Sequence, residues 1–283
     1  MRFIPVLLLF LSNIVFSQAA FEKYGPMGAQ VYKDLKTALK VEKNVYKLDL
    51  SYQQLEPRLF NKIGKLKDLQ ALHLSSNSIN SWPEDFSKLG NLVYLSSINN
   101  EFASFPKDLK NLSSLMYLEL FGTKIDSLPF ELAYLQRLKV FKFSGNEDTL
   151  RITNKFRFIK SLSELTLEHC ILDSCPRTLF RVPTLKFLAI TNCAVQAIPE
   201  TLDKSGNLEV LILDFNKLKV LPRGVYKCKK LIYLSLKNNQ IRKIPDTICQ
   251  LTALTQLDLR GNPLNKEDVE EVKILLPGCK VLF

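Results

Sequence analysis

Histidine is nearly missing from this chain: 283 residues hold two, His73 and His169. They fall too far apart in sequence to share one site. No His-Glu-x-x-His pair, nucleophile elbow, phosphate-binding loop or paired Cys-x-x-Cys occurs either, so the sequence assembles no constellation for metal-assisted, acyl-transfer or nucleotide chemistry. The chain is therefore expected not to be an enzyme and to carry no cofactor or metal. Acidic residues are also scarce, 28 against 39 Lys and Arg, for a formal charge of +11. That balance suits anionic surfaces, glycans or acidic partners. Long apolar runs are lacking beyond the first residues, and no later segment has the roughly 20 apolar residues that a membrane span needs. Glycine and proline are not in excess and 46% of residues are hydrophobic, enough for a sizeable core and no sign of wholesale disorder.

The opening stretch is the one exception to the shortage of apolar runs. Arg2 precedes an apolar run from Phe3 to Leu11, and small residues follow at Ser17, Ala19 and Ala20. This is the layout of a secretory signal peptide, here residues 1–19, with the mature chain starting between Gln18 and Glu22. Polar Ser12, Asn13, Ser17 and Gln18 interrupt the run before it reaches spanning length. An extracytoplasmic location (secreted, periplasmic or cell-surface) follows, and nucleic acid is not expected as a partner.

One unit recurs through the rest of the chain: leucine, two variable residues, leucine, one variable, leucine, two variable, a short polar residue, one variable, leucine. Its copies start at Val45, Leu69, Leu92, Leu115, Leu138, Leu162, Leu185, Leu208, Leu231 and Leu254, at steps of 23 or 24 residues. Position 9 holds Gln53, Asn77, Asn100, Thr123, Asn146, Cys170, Cys193, Asn216, Asn239 and Asn262. Such side chains can turn inward and satisfy backbone groups freed where the chain leaves a strand. Positions 14 and 15 often read as an apolar residue and proline, as in Leu128-Pro129 and Leu221-Pro222. Proline removes a donor and fixes φ, so this half of each copy should be extended or short 3₁₀ structure. One short strand per copy, around positions 3 to 7, then stacks into a parallel sheet. Position 6, Leu213 for example, should face the core, and position 7, Asp214, should face solvent.

These motifs resemble the leucine-rich-repeat family, in its 23-residue LxxLP subclass, from Val45 to about Phe283, and the exported single-domain form is similar to secreted bacterial leucine-rich-repeat proteins. The resemblance implies an α/β solenoid, a horseshoe with a concave parallel β-sheet and short 3₁₀ or extended outer segments. Ten repeats would occupy 45–264. The first lacks the Leu-Pro step in register, and the fifth has an extra residue and no proline. Terminal repeats need covers, so an N-terminal helical cap is expected in 20–44, with an amphipathic helix over Gln30 to Lys40. A C-terminal cap in 265–283 should consist of a helix begun by Asn265 and a last short strand.

Positions 3, 5 and 7 should point out of the sheet on its concave side. There stand Tyr94, Ile98, Tyr117 and Phe121 in copies three and four. Phe187, Val210, Ile212 and Tyr233 follow in copies seven to nine, with Phe215 beside them at position 8. Large apolar groups at solvent positions form two patches, and such patches mark binding surfaces; the competing explanation is aromatic stacking between strands. A basic block runs through Lys217, Lys219, Arg223, Lys227, Lys229, Lys230, Lys237, Arg242 and Lys243 with no acidic residue between. The expected function is a binding module that takes a protein or peptide on the concave aromatic face. The rival is an envelope-associated protein holding an anionic glycan or lipid surface with the basic wall. Cys170 and Cys193 share one ladder position in adjacent copies, close enough either to bridge or to remain buried thiols.

Overall fold

The computed structural model describes residues 20–145, 149–172 and 175–283; the expected leader and the fifth ladder residue, Asn146, lie outside them. The leucine spacing produces a stack of parallel strands. These are β1 (Val31–Tyr32), β2 (Lys47–Asp49), β3 (Ala71–His73), β4 (Tyr94–Ile98) and β5 (Tyr117–Phe121), and further on β7 (Val140–Ser144) and β9 (Glu164–Glu168). The same sheet continues through β10 (Phe187–Thr191), β11 (Val210–Ile212), β12 (Tyr233–Ser235), β13 (Gln256–Asp258) and β14 (Lys280–Leu282). Two short strands, β6 (Ser127–Leu128) and β8 (Arg151–Ile152), pair with each other in a second sheet. Every repeat strand aligns its position 3 with that of its neighbour, as in Tyr94 with Tyr117 and Val210 with Tyr233. The solenoid horseshoe expected from the period is thus the observed architecture.

Leucines from all copies merge into one continuous core from Leu35 to Leu276. The outer wall is a run of 3₁₀ turns, several of which start directly after proline, as at Pro83, Pro129, Pro199, Pro222 and Pro245. The fifth repeat has no proline at this place. Thr153 stands there instead, and its hydroxyl accepts from the Lys155 amide at the head of the 3₁₀ turn Asn154–Phe158.

The position 9 asparagines tie each copy to the one before it. Asn216 donates to the carbonyls of Ile190 and Leu213 at 2.7 and 3.0 Å and accepts from the amides of Cys193 and Val195, both at 3.1 Å. Asn239 and Asn262 repeat the pattern on the following copies. Cys170 and Cys193 are free thiols that donate to backbone carbonyls from the same place. Position 8, just outside the strand, turns through the left-handed region at Tyr52, Ser76, Asn99, Gly122, His169, Asn192, Phe215, Asn238 and Gly261. At Gly261 a Cβ would meet the Asn238 amide oxygen, so glycine there meets a need of space as well as of φ.

The two ends differ in how they are closed. At the C-terminal end a helix, Lys266–Leu275, buries Val269 and Val272, and the Asn265 side chain accepts from the Asp268 amide at 2.7 Å. At the N-terminal end the helix expected over Gln30 to Lys40 is shorter, Leu35–Val41, because Asp34 caps it by accepting from the Thr37 amide. Val31 and Tyr32 pair instead with β2, which occupies the open hydrogen-bonding edge that the first repeat strand would otherwise present. The preceding residues do not cap this end. They return over the sheet.

Candidate binding face

The concave surface is the outward side of the sheet, where positions 3, 5 and 7 of each strand stand in rows. Tyr94 and Tyr117, on β4 and β5, stack with ring centroids 4.8 Å apart and planes 19° from parallel. They were expected at a solvent surface. The structure corrects that: Tyr94 is 0% and Tyr117 4% exposed. The cover is the chain's own N-terminal segment, which places Phe21 and Tyr24 over them. Phe21 meets Tyr94 edge-on at 5.7 Å, and Tyr24 lies 5.7 Å from Tyr94 and 5.8 Å from Tyr117. Ala71 and Val140 complete this cluster on β3 and β7. Ile98 and Phe121, at position 7 of the same strands, are buried as well.

Polar groups surround the cluster. The buried Glu119 carboxylate accepts from Ser96 Oγ at 2.8 Å and from the Tyr117 hydroxyl at 3.2 Å, with Lys142 Nζ at 3.9 Å. Burial, with Glu119 beside it, raises the Tyr117 phenol well above its ordinary pKa. His73 lies under Phe21 at 6.1 Å, with Ser75 Oγ 2.7 Å from its Nε2 and Asp49 3.8 Å from its Nδ1. Burial lowers its pKa, and the Asp49 and Glu119 charges oppose that shift in part. Among the described residues no group of three or more His, Cys, Asp or Glu is placed to hold a metal ion.

The second patch lies on β10 to β12 and is a different kind of surface. Ala189, Ile212 and Tyr233 are buried side by side, which corrects the expected solvent placement of Ile212 and Tyr233, and Phe187 and Val210 are half-buried against them. No segment among the described residues packs across this cluster as Phe21 does across the first. Phe215 projects from the rim, 45% exposed, with its backbone at φ 56°. A bulky side chain in the left-handed region costs on the order of 1 kcal/mol or more and persists only where its surroundings enforce it.

Charges on the concave face are largely matched in place. Asp214, expected to face solvent, is 1% exposed; it accepts from Ser235 Oγ at 2.5 Å and from the Lys237 amide at 2.9 Å. Burial raises its pKa despite these contacts. Lys237 Nζ is 3.3 Å from it, so this lysine belongs to the concave face and not to the basic wall. Arg260 pairs likewise with Asp258 at 2.6 Å. The other members of the basic block, Lys217, Lys219, Arg223, Lys227, Lys229, Lys230, Arg242 and Lys243, are exposed. Two of them reach adjacent repeats, Lys229 to the Gln250 carbonyl and Lys230 to Asn207 Oδ1.

Sequence reading missed Phe21 and Tyr24, which lie next to the expected cleavage region. The available signal was an aromatic pair three residues apart followed by Gly25-Pro26, a pattern that places two rings on one face of a helical turn and then breaks it.

A family model described as "Leucine-rich repeat region" matches residues 47–171, and one described as "Leucine rich repeat" matches residues 206–264. No curated protein matches the chain in sequence. Among solved structures, the Toll–Spatzle complex from Drosophila is similar at 24% identity and a TM-score of 0.67, over 82% of this chain and 32% of that one. The plant peptide hormone receptor RGFR1 in complex with RGF2 is similar at 20% identity and 0.60, over 85% and 43%. Internalin C2 from Listeria monocytogenes is similar at 21% identity and 0.58, over 69% and 82%.

Proposed function

Because the chain belongs to the leucine-rich-repeat family, we propose that it is an exported, non-enzymatic recognition module that binds a protein or peptide on the concave sheet at β10–β12. The observation that carries this reading is the half-buried pair Phe187 and Val210, which lies over the buried Ile212 and Tyr233, with the exposed Phe215 held outward beside it at φ 56°. Position 8 favours glycine or asparagine, so Phe215, like the exposed Tyr52 in the first copy, is a bulky side chain held there at a cost in backbone strain. It gains a purpose if a partner covers it. Aromatic groups in a partly desolvated patch are also the residue class that supplies most binding free energy in protein interfaces. Similar folds are seen with a protein bound, as Toll is with Spatzle; that likeness concerns the fold, and the reading rests on this chain's own surface. Export is carried by the signal-peptide layout of residues 1–19. No helix among the described residues is long and apolar enough to cross a membrane.

The test is capture of a partner from the extracytoplasmic fraction by purified protein. Phe187→Ser combined with Phe215→Ser should weaken capture by roughly 30-fold or more, the loss of about 2 kcal/mol typical of a hot spot. Lys227→Gln, Lys229→Gln and Lys230→Gln together should leave it within about twofold, and it should survive salt that screens surface charge. Melting temperatures near wild type exclude unfolding as the cause. Loss of capture in the lysine variant and at high salt, with the aromatic variant unaffected, would transfer the function to the basic wall and an anionic glycan or lipid surface.

A further inference from the structure

The segment over the first patch is built like a bound ligand. Residues 20–23 form one helical turn, closed by a hydrogen bond from the Tyr24 amide to the Ala20 carbonyl. Phe21 and Tyr24 point down into the cluster, while Glu22 and Lys23 between them are exposed. The sheet supplies a polar handle as well as an apolar floor. Lys47, itself buried, donates from Nζ to the Glu22 carbonyl at 3.1 Å. The segment then leaves the face through Gly25-Pro26-Met27-Gly28, where both glycines have positive φ and Met27 is fully exposed. This short turn is its covalent link to β1.

We infer that the concave surface over β3, β4, β5 and β7 is a second peptide site, specific for a helical turn carrying two aromatic side chains three residues apart. Residues 20–24 occupy it in cis, and a partner segment of the same chemistry takes it by displacing them. The site concerns the other patch, and so goes beyond the reading given above. The partner chemistry is read from the occupant: an i, i+3 aromatic pair for the Tyr94–Tyr117 stack and a backbone carbonyl for Lys47. A tether this short holds the segment at an effective concentration on the order of millimolar. A free peptide therefore meets a competitor in the wild-type protein and none when the two rings are removed.

The probe is a fluorescent peptide with the sequence of residues 20–29, AFEKYGPMGA, followed by anisotropy. The Phe21→Ser, Tyr24→Ser double variant should bind it, and the wild-type protein at least tenfold more weakly. Adding Tyr94→Ser and Tyr117→Ser to the double variant should abolish binding, as should replacing Phe and Tyr of the peptide by serine. Phe187→Ser with Phe215→Ser should leave peptide binding unchanged, which separates a failure here from a failure at β10–β12. A second measurement uses a protease site inserted after Met27: once cut, the segment should exchange for labelled peptide. A double variant that cannot fold, a folded one that ignores the peptide, equal binding by the wild-type protein, or a cut segment that never exchanges would each overturn the inference.

Discussion

Leu213→Asp should unfold much of the solenoid, with a fall in melting temperature of roughly 15 °C or more. Leu213 is fully buried, follows directly on β11, and donates its amide to the Ser235 carbonyl on the next repeat. Aspartate there loses a buried leucine, worth about 2–5 kcal/mol, and places a carboxylate among leucines, at a further cost of several kcal/mol. The sum approaches the whole stability of an ordinary domain, about 5–15 kcal/mol, and each kcal/mol moves the midpoint of a chain this size by about 2–4 °C. Because a repeat contacts mainly its neighbours, the loss breaks the stack in its middle as well as lowering its total. Asp214→Ala, one residue on, should cost less but not nothing. It leaves the Ser235 hydroxyl and the Lys237 amide without their acceptor, about 1–3 kcal/mol. Equal melting losses from the two variants would mean that the inside and outside of β11 are misassigned.

Asn216→Ala should be the second most damaging of these changes, at about 3–5 kcal/mol. Its amide bonds to five backbone groups in two adjacent repeats, the Cys193 and Val195 amides and the Ile190, Leu213 and Asp214 carbonyls. Alanine satisfies none of them, and the position is too buried for water to take over freely. Asn207→Ala provides the comparison, since Asn207 also bonds to the preceding repeat, at the Pro183 carbonyl, but stands exposed on the outer surface. Urea denaturation followed by circular dichroism should give a large shift for the first variant and one below about 1 kcal/mol for the second. Similar shifts would mean that the ladder contributes little to the cohesion between repeats.

What the sequence made legible follows the repeat. A period of 23 or 24 residues fixes which leucine stacks on which, so the register of Tyr94 with Tyr117 and of Val210 with Tyr233 could be read before any coordinates. Alternation along a strand then tells which side a residue leaves from. It does not tell whether that side is wet. Asp214 leaves on the concave side as expected, yet Ser235 and Lys237 from the next copy enclose it. Tyr94 likewise points away from the core and is still covered, because Phe21 returns over it from outside the repeat. A return of that kind leaves no periodic trace. The strand at Val31–Tyr32 was missed for a related reason: its apolar spacing also fits a helix, and only the unpaired edge of β2 decides between the two. Lys237 belongs by sequence to a basic run and by pairing to the opposite face.

The claim that a partner lies against the concave sheet at β10–β12 is tested most directly by where the partner can be trapped. A photo-reactive phenylalanine analogue at Phe187 and, in a second preparation, at the exposed outer-wall residue Lys229 samples the two surfaces without altering the core. Irradiation with the captured partner present should give a covalent adduct from position 187 and none from position 229. An adduct from position 229 with none from position 187 would contradict the account and put the binding surface on the basic wall.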